Sequence, residues 1–178
     1  VGRLHAGCYF KFIPEESLGS YKAYCRKDDQ TMVYEVSDGG AFYNGTEGYK
    51  KITINLKDLT YTIEDYDMTG ITPWPMVNFV GAFCNWGEGN TDPAMTPMTY
   101  NPHIWKITLN LSTVEYGVKF RVNHSWDNRW CPGNPDALPY GTTDFNPTGH
   151  DNNISLPEPG EYSVVFNDLT GQYVIMKK

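Results

Sequence analysis

The chain has 178 residues, including 13 Tyr, 5 Trp, 17 Gly and 12 Pro, and its formal net charge is -7. Frequent aromatic residues punctuated by glycine and proline favour short strands and tight turns over helices, so the composition predicts an all-β protein. The length suits one large or two small domains. The negative charge argues against a nucleic-acid partner and favours a neutral ligand. No apolar run approaches the roughly 20 residues of a membrane-spanning helix.

Alternating apolar and polar residues predict several strands in the first part of the chain. These strands cover residues 6–14, 31–36, 49–56 and 60–64. Gly70, Pro73 and Pro75 then interrupt the pattern, as expected of a short and fairly stiff linker. The predicted organisation is a first module at 1–67, a linker at 68–75 and a second module at 76–178.

The second part of the chain carries a fuller set of strand patterns. Residues 76–83 form a largely apolar stretch, and within residues 103–111 the alternation places Trp105 on the apolar face, which predicts a core position for it. Further strands are predicted at 118–122, 154–156, 160–166 and 172–176. Residues 132–153 are rich in Gly, Pro, Asn and Asp and are expected to form a long loop.

The stretch 117–131, GVKFRVNHSWDNRWC, places two tryptophans beside basic residues. Side chains alternate between the faces of a strand, so its apolar residues would face a core while Lys119 and Arg121 share the opposite face. Trp126 and Trp130 follow in a run of polar residues, where a loop would leave at least one indole exposed. The competing interpretation is that both indoles are core, because large aromatic residues are highly buried on average.

The two parts of the chain also resemble one another, which predicts two copies of one β-sandwich module. The matching segments occur in the same order and at similar spacing. They are Phe10-Lys11-Phe12 with Val118-Lys119-Phe120, Ser20-Tyr21 and Tyr24-Cys25 with Ser125-Trp126 and Trp130-Cys131, Gly48-Tyr49 with Gly160-Glu161-Tyr162, and Asp58-Leu59-Thr60 with Asp168-Leu169-Thr170. Because Lys11 lies much closer to the start of its copy than Lys119 does, the first module is expected to be incomplete, with unpaired strand edges that a neighbouring molecule would complete.

Other chemistries have weaker support in the sequence. Adjacent carboxylates at 15–16, 28–29 and 64–67 are usually solvated, whereas a glycosidase needs two carboxylates placed across a cleft. The four His and four Cys lack metal-ligand or nucleophile spacing, and free buried thiols are the expected state of the cysteines. An oxygen-rich set lacks the acidic density of a calcium loop and is expected to form turns; it comprises Asp144, Asn146, Asp151, Asn152 and Asn153. We therefore expect a protein without catalytic residues, metal or cofactor.

A sugar-binding site is the chemistry that the tryptophans favour. A pyranose ring offers a face of C–H groups and a rim of hydroxyls, so its receptor needs flat apolar surface with directional donors and acceptors. The predicted site in the second module comprises Trp126, Trp130, Trp86, Lys119, Arg121, Asn128 and Arg129. Trp86 lies in a turn, so it is either a third wall of this platform or a structural tryptophan that closes the turn.

The first module has matching residues with smaller rings. They are Tyr21, Tyr24, Lys11 and Lys22. Because tyrosine offers less stacking surface than tryptophan, this second site is expected to be weaker or lost.

The chain resembles a known family in several segments taken together. These are the strand-turn VNFVGAFCNW, the MTPM segment, the IWKITLNL and VKF strands, the W-x3-W spacing, the closing GEYSVVFNDLTGQYVI and the tandem repetition. They resemble the SusE/SusF type of outer-membrane lipoprotein from starch-utilisation systems of Bacteroidetes, well over residues 76–178 and partly over 6–66. The resemblance implies tandem Ig-like carbohydrate-binding modules that hold starch or another glycan at the cell surface without cleaving it.

Partners and location follow from the same resemblance. It implies a polysaccharide or oligosaccharide ligand, other proteins of a surface uptake complex, and attachment to the outer membrane through a lipid anchor outside residues 1–178. The alternative function is a structural spacer or protein-interaction module in such a complex, with the tryptophans contacting a protein.

Overall fold

The protein is all-β and divides into two compact units. The computed structural model describes residues 1–14, 17, 20, 22–36 and 39–178. The units are Val1–Ile71 and Thr72–Lys178, so the division falls inside the predicted linker. Within the described residues, no helix has the length and apolar character needed to cross a membrane.

The first unit is built from short antiparallel strands. Those in its described residues are β1 (Gly2–Leu4), β2 (Cys8–Phe10), β3 (Lys22–Arg26), β4 (Met32–Val36), β5 (Phe42–Asn44), β6 (Gly48–Asn55) and β7 (Thr60–Asp65). They pair as β1-β6-β7, β2-β5 and β3-β4. Their small core consists of buried Met32, Phe42 and Tyr61 with half-buried aromatic neighbours around them.

The second unit is larger and sandwich-like. Its strands are β8 (Val77–Gly81), β9 (Thr96–Pro97), β10 (Ile104–Leu111), β11 (Val118–Val122), β12 (Ser125–Pro132), β13 (Tyr140–Phe145), β14 (Gly160–Asn167) and β15 (Gln172–Lys177). They form one sheet in the order β8-β11-β12-β13-β15-β14-β10-β9. The sheet folds back on itself so that β11 and β14, which are not neighbours in it, face one another across the core. The Phe120 ring of β11 stacks on the Phe166 ring of β14 with centroids 4.1 Å apart.

Strand alternation explains much of this core. Trp105, on the apolar face of β10, is only 2% exposed, which confirms the predicted core position. Trp130 of β12 joins it, also at 2%. Trp74 packs edge-on against Trp130 at 6.1 Å, within the same unit. The aromatic side chains therefore fill the space between the two halves of the sheet.

Two predicted loops are strands in the structure. Trp126 and Trp130 lie on β12, and the predicted loop at 132–153 contains β13. The sequence of β13, YGTTDF, does not alternate between apolar and polar residues, and most of its side chains are exposed. Its strand conformation comes from pairing with β12 on one side and β15 on the other.

Three strand pairings occur at matching positions of the predicted repeat, although the strands form separate small sheets in the first unit and one sheet in the second. Corresponding pairs are Phe10–Phe42 with Val118–Ile154, Phe12–Tyr24 with Phe120–Trp130, and Tyr24–Tyr34 with Trp130–Phe145. Each unit therefore repeats the contacts that place its central aromatic residues. The expectations of an Ig-like topology and of an incomplete first module stay predictions.

The closing hairpins correct the register of the repeat. Gly48 and Gly160, at the start of β6 and β14, have similar φ values of 143° and 148°. Asn55 and Asn167 end these strands, and each side-chain oxygen accepts a hydrogen bond from the backbone N–H two residues later, at 3.0 Å. Asn55 therefore corresponds to Asn167, and the match of residues 58–60 with 168–170 was wrong. Strand pairing fixes the register, whereas short turn sequences recur without it.

Candidate functional site

A shallow cleft in the second unit brings two tryptophans together. The cleft has a volume of about 260 Å³, and Trp86, Lys119, Trp126, Asp151 and Asn153 line it. The two indole centroids are 6.4 Å apart, with the ring planes inclined by 42°. Trp126 is 39% exposed and Trp86 is half-buried, so both rings are partly covered by protein and partly open to a ligand.

An irregular 3-10 segment, Ala82–Asn90, positions Trp86. The backbone takes left-handed φ values at Asn85 (49°), Trp86 (53°) and Gly87 (75°). Left-handed backbone costs energy for a residue with a Cβ and persists where surrounding contacts hold it. Thr91 provides one such contact, because its hydroxyl donates to the Cys84 carbonyl oxygen at 2.6 Å. The segment therefore holds Trp86 in an otherwise unfavourable backbone conformation.

Trp126 reaches the cleft through a bulge in β12. Arg121 pairs with Arg129, and the next residue, Val122, pairs with Ser125, so residues 126–128 are extra residues opposite β11. Bulges turn a side chain away from its regular position in the sheet. This bulge explains why Trp126 points into the cleft while Trp130, further along the same strand, is core.

A buried ion pair supports the Trp126 ring. The Arg121 guanidinium carbon lies 4.5 Å from the centroid of that ring, which is a cation–π contact. Arg121 Nε and Nη2 donate to the two Asp92 carboxylate oxygens at 2.7 and 2.8 Å. Arg121 and Asp92 are each only 2% exposed. The ring therefore rests on a cation that is itself held in place.

Asp92 binds both Arg121 and His124. Its Oδ1 atom also lies 2.7 Å from His124 Nδ1. Burial opposes a charge on Asp92, but hydrogen bonds from Arg121 and His124 outweigh burial and hold the pKa of the Asp92 carboxyl below its ordinary value. Asp92 therefore stays ionised at neutral pH and keeps Arg121 oriented beneath the indole.

Replacing Gly87 with alanine is expected to disturb this support. A Cβ at Gly87 would lie 1.9 Å from Arg121 Nη2 and 2.7 Å from Asp92 Oδ1. Gly89→Ala is the matched control, because Gly89 has a similar φ of 65° but nothing within 4 Å of its Cβ position. We expect Gly87→Ala to cost roughly 1–3 kcal/mol more unfolding free energy than Gly89→Ala in urea denaturation. Equal costs would show that Arg121 moves aside freely.

A second cluster of charges contributes Lys119 and Asp151 to the lining of the cleft. Lys119 Nζ lies 2.6 Å from Asp151 Oδ1 and donates to the Asp151 carbonyl oxygen at 2.8 Å. Arg129 Nε donates to the same carboxylate at 3.0 Å. Burial acts to raise the pKa of Asp151, but hydrogen bonds from Lys119 and Arg129 lower it more, to about 2. Asp151 therefore presents an ionised acceptor at any physiological pH.

The remaining predicted rim residues take part in framework contacts. Arg129 donates from Nη1 to the Trp126 carbonyl oxygen at 3.1 Å. Asn128 Oδ1 accepts from Asn146 Nδ2 at 3.1 Å, and Asn146 Oδ1 accepts from the Arg129 backbone N–H at 2.8 Å. These bonds fix the bulge that carries Trp126.

Three assignments made from the sequence need correction. Trp130 is not part of an exposed platform, because its indole is only 2% exposed. Lys119 and Arg121 do share the face opposite the core residues of β11, but they are 3% and 2% exposed and bind the carboxylates of Asp151 and Asp92. Arg121 supports the Trp126 ring and Lys119 holds the Asp151 carboxylate, but both basic side chains are too covered to form an open rim. The alternation of residues along β11 predicts which face of the strand Lys119 and Arg121 occupy. It does not predict how far other segments cover that face.

The structure adds Asp92, Asp151 and Asn153 to the site. Asp151 and Asn153 belong to the oxygen-rich set considered for calcium, and they make hydrogen bonds to Lys119 and to the Tyr116 carbonyl oxygen, respectively. No group of three or more His, Cys, Asp or Glu side chains within the described residues is arranged to hold a metal ion. Asp92 lies in an irregular segment, and no sequence pattern connects it with Arg121.

Of the predicted first-module site, the structure describes Tyr24, Lys22 and Lys11, and the first two meet at the Tyr34 ring. Tyr21 lies outside the described residues. Tyr24 packs on Tyr34 with centroids 4.7 Å apart, beside the small core, and Lys22 Nζ lies 4.1 Å from the Tyr34 centroid. Lys11 is half-buried. Tyr24 therefore packs beside the core of its unit and is half-buried, whereas its counterpart Trp130 is fully buried.

Two further groups of titratable residues have structural roles. The four cysteines are free; Cys25 and Cys131 are buried, and burial raises the pKa of the Cys131 thiol, which lowers its reactivity. His103 Nδ1 lies 2.6 Å from Asp168 Oδ1, and Trp105 Nε1 donates to Asp168 Oδ2 at 2.8 Å. The His103 and Asp168 side chains are 3% and 1% exposed, so the pair is out of reach of a substrate, and together with Trp105 it ties the start of β10 to the turn before β15.

No protein-family model matches the chain, and no curated protein matches it.

Proposed function

We propose that the second unit binds a neutral glycan without cleaving it, by stacking a sugar ring on Trp126 in the cleft beside Trp86. The observation that carries the proposal is the Trp126 indole, which is 39% exposed and supported from within by Arg121 at 4.5 Å. Rigid aromatic surfaces lose little conformational entropy when a ligand binds. The supported ring is therefore suited to stack against the C–H face of a pyranose.

The polar wall of the cleft suits the rim of the same ligand. The Asp151 side chain is 63% exposed, so its carboxylate accepts sugar hydroxyls while Lys119 and Arg129 hold it. Charged acceptors make stronger hydrogen bonds than neutral ones. Trp126 would thus supply stacking surface and Asp151 the directional contact.

The absence of cleavage is part of the proposal. Among the described residues that line the cleft, Asp151 alone carries a carboxylate. Glycoside hydrolysis usually uses two carboxyl groups on either side of the scissile bond, one of them with a raised pKa. Asp151 has a lowered pKa and is already paired with cations. It is therefore suited to hold a hydroxyl and unsuited to donate a proton.

The wider setting is also proposed. The SusE/SusF-like segments and the shared pairing plan of the units support tandem Ig-like modules of a lipid-anchored outer-membrane protein. Such a protein would hold starch or a related polysaccharide at the cell surface, next to the other proteins of an uptake complex. Each site would bind modestly, since stacking with a few solvated hydrogen bonds is weak.

Affinity electrophoresis tests the proposed function. The protein is run through native gels that contain one of several neutral polysaccharides, with bovine serum albumin as the reference for migration. We expect at least one glycan to retard it, and no release of reducing sugar from that glycan. Migration equal to the reference in every gel would overturn the proposal, and binding of another surface protein through Trp126 would then favour the interaction-module alternative.

A further inference from the structure

We propose that the first unit carries a second glycan-binding cleft, built on Tyr9 and Tyr43. This cleft differs from the site that the sequence repeat predicted. Its volume is about 490 Å³, and its lining includes Tyr9, Arg26, Asp29, Tyr43, Tyr61 and Ile63. The choice of a glycan as the ligand rests on the proposed function of the second unit.

The two tyrosines form a paired and exposed aromatic surface. Tyr9 of β2 lies directly opposite Tyr43 of β5, and their ring centroids are 4.9 Å apart. They are 71% and 51% exposed. Contiguous exposed aromatic surface is a common mark of a binding site.

Packing does not account for these tyrosines. Side chains alternate along β2 and β5, so Phe10 and Phe42 face the core while Tyr9 and Tyr43 face away from it. The corresponding positions beside Val118 and Ile154 in the second unit are Gly117 and Ser155. The shared strand plan is therefore built without aromatic rings at these positions, and the first unit carries them for another reason.

The remaining lining favours a neutral ligand with hydroxyl groups. Arg26 and Asp29 form an ion pair at the cleft, so their charges cancel. The Asp29 side chain is 92% exposed, which leaves its carboxylate open to further donors. The Tyr61 hydroxyl donates to the Asp28 carbonyl oxygen at 2.8 Å and fixes the adjoining wall. The cleft therefore offers the rings of Tyr9 and Tyr43 for stacking, with Arg26 as donor and Asp29 as acceptor. This is the same chemistry as in the Trp126 cleft, at a different position of the fold.

A second site changes how the whole chain binds a polymer. Two weak sites in one chain bind a polysaccharide together, and the apparent affinity gains by about 10²-fold or more when both engage. We therefore expect binding to a polymer to depend on both clefts and binding to a short oligosaccharide to measure each cleft separately.

Four full-length proteins test this inference in the same polysaccharide gels. They are the wild type, Trp126→Ala, the double variant Tyr9→Ala/Tyr43→Ala, and the triple variant. We expect Trp126→Ala and the tyrosine double variant each to reduce retardation by at least ten-fold in apparent affinity, and the triple variant to migrate unretarded. Tyr140→Ala is the matched control, because Tyr140 is 62% exposed and lies on β13 of the second unit. It should behave as the wild type.

The outcomes separate the two proposals. If Trp126→Ala already abolishes retardation and the tyrosine double variant binds as the wild type does, the second cleft is overturned and the proposed function stands. If only the tyrosine double variant loses retardation, the Tyr9–Tyr43 cleft stands and the Trp126 site falls. A wild type that no glycan retards overturns both. Thermal unfolding of each variant, expected to be unchanged within a few degrees for such exposed side chains, shows that loss of binding is not loss of fold.

Discussion

Replacing Trp130 with alanine is expected to lower the unfolding free energy of the second unit by about 3–5 kcal/mol, in the range for a fully buried tryptophan. The indole contacts Phe145 at 4.9 Å and Phe166 at 5.0 Å between ring centroids, so the substitution leaves a cavity bordered by large, rigid rings. Such rings collapse poorly into empty space. Urea denaturation followed by circular dichroism measures the loss.

Trp126→Ala is the matched control for this prediction. It removes the same side chain from the same strand, but from a position that is 39% exposed. Its expected cost is about 1 kcal/mol, mainly from the lost contact with Arg121. Similar costs at the two positions would contradict the division of the pair into one core residue and one ligand-facing residue.

The second large effect is expected at the Asp92–Arg121 ion pair. Arg121→Met removes the charge that compensates a buried carboxylate, and breaking a buried pair on one side costs about 3–5 kcal/mol. Asp92→Ala leaves the Arg121 guanidinium uncompensated and should cost as much. Both variants should also weaken glycan binding, because Arg121→Met removes the cation that supports the Trp126 ring and Asp92→Ala removes the carboxylate that orients this cation. Urea denaturation and polysaccharide gels measure the two effects.

The double variant Arg121→Met/Asp92→Ala tests whether the two charges are coupled, as expected of a buried ion pair. It removes both charges, so we expect it to cost clearly less than the sum of the single variants. The exposed pair Lys178–Glu161, at 3.4 Å, provides the control, and Glu161→Ala should cost no more than about 1 kcal/mol. Additive losses at Asp92 and Arg121 would show that their charges are not coupled.

The sequence predicts those features that depend on local alternation. The all-β class and the core position of Trp105 follow from residues that lie two apart on one face of a strand. The exposure of at least one of Trp126 and Trp130 is confirmed by Trp126. Three strand pairings recur at positions that the predicted repeat matches, while the repetition of a whole module stays a prediction.

Other features depend on contacts that alternation does not encode. The polar residues around Trp126 indicate a loop, but they form a bulge within β12, and the strand returns Trp130 to the core. β13 is polar and takes its strand conformation from its neighbours. Asp92 lies in an irregular segment 29 residues before Arg121 of β11, and both side chains are buried. The face of a basic side chain was thus predictable, whereas its burial and its partner were not.

Glycan binding by Trp126 is the central claim, and the retardation of Trp126→Ala tests it most directly. The variant and the Tyr140→Ala control are compared over a series of concentrations of the polysaccharide that slows the wild type. We predict that Trp126→Ala raises the apparent dissociation constant at least ten-fold, equivalent to about 1.4 kcal/mol, while the control leaves it unchanged. Equal retardation of Trp126→Ala and the wild type would contradict the claim.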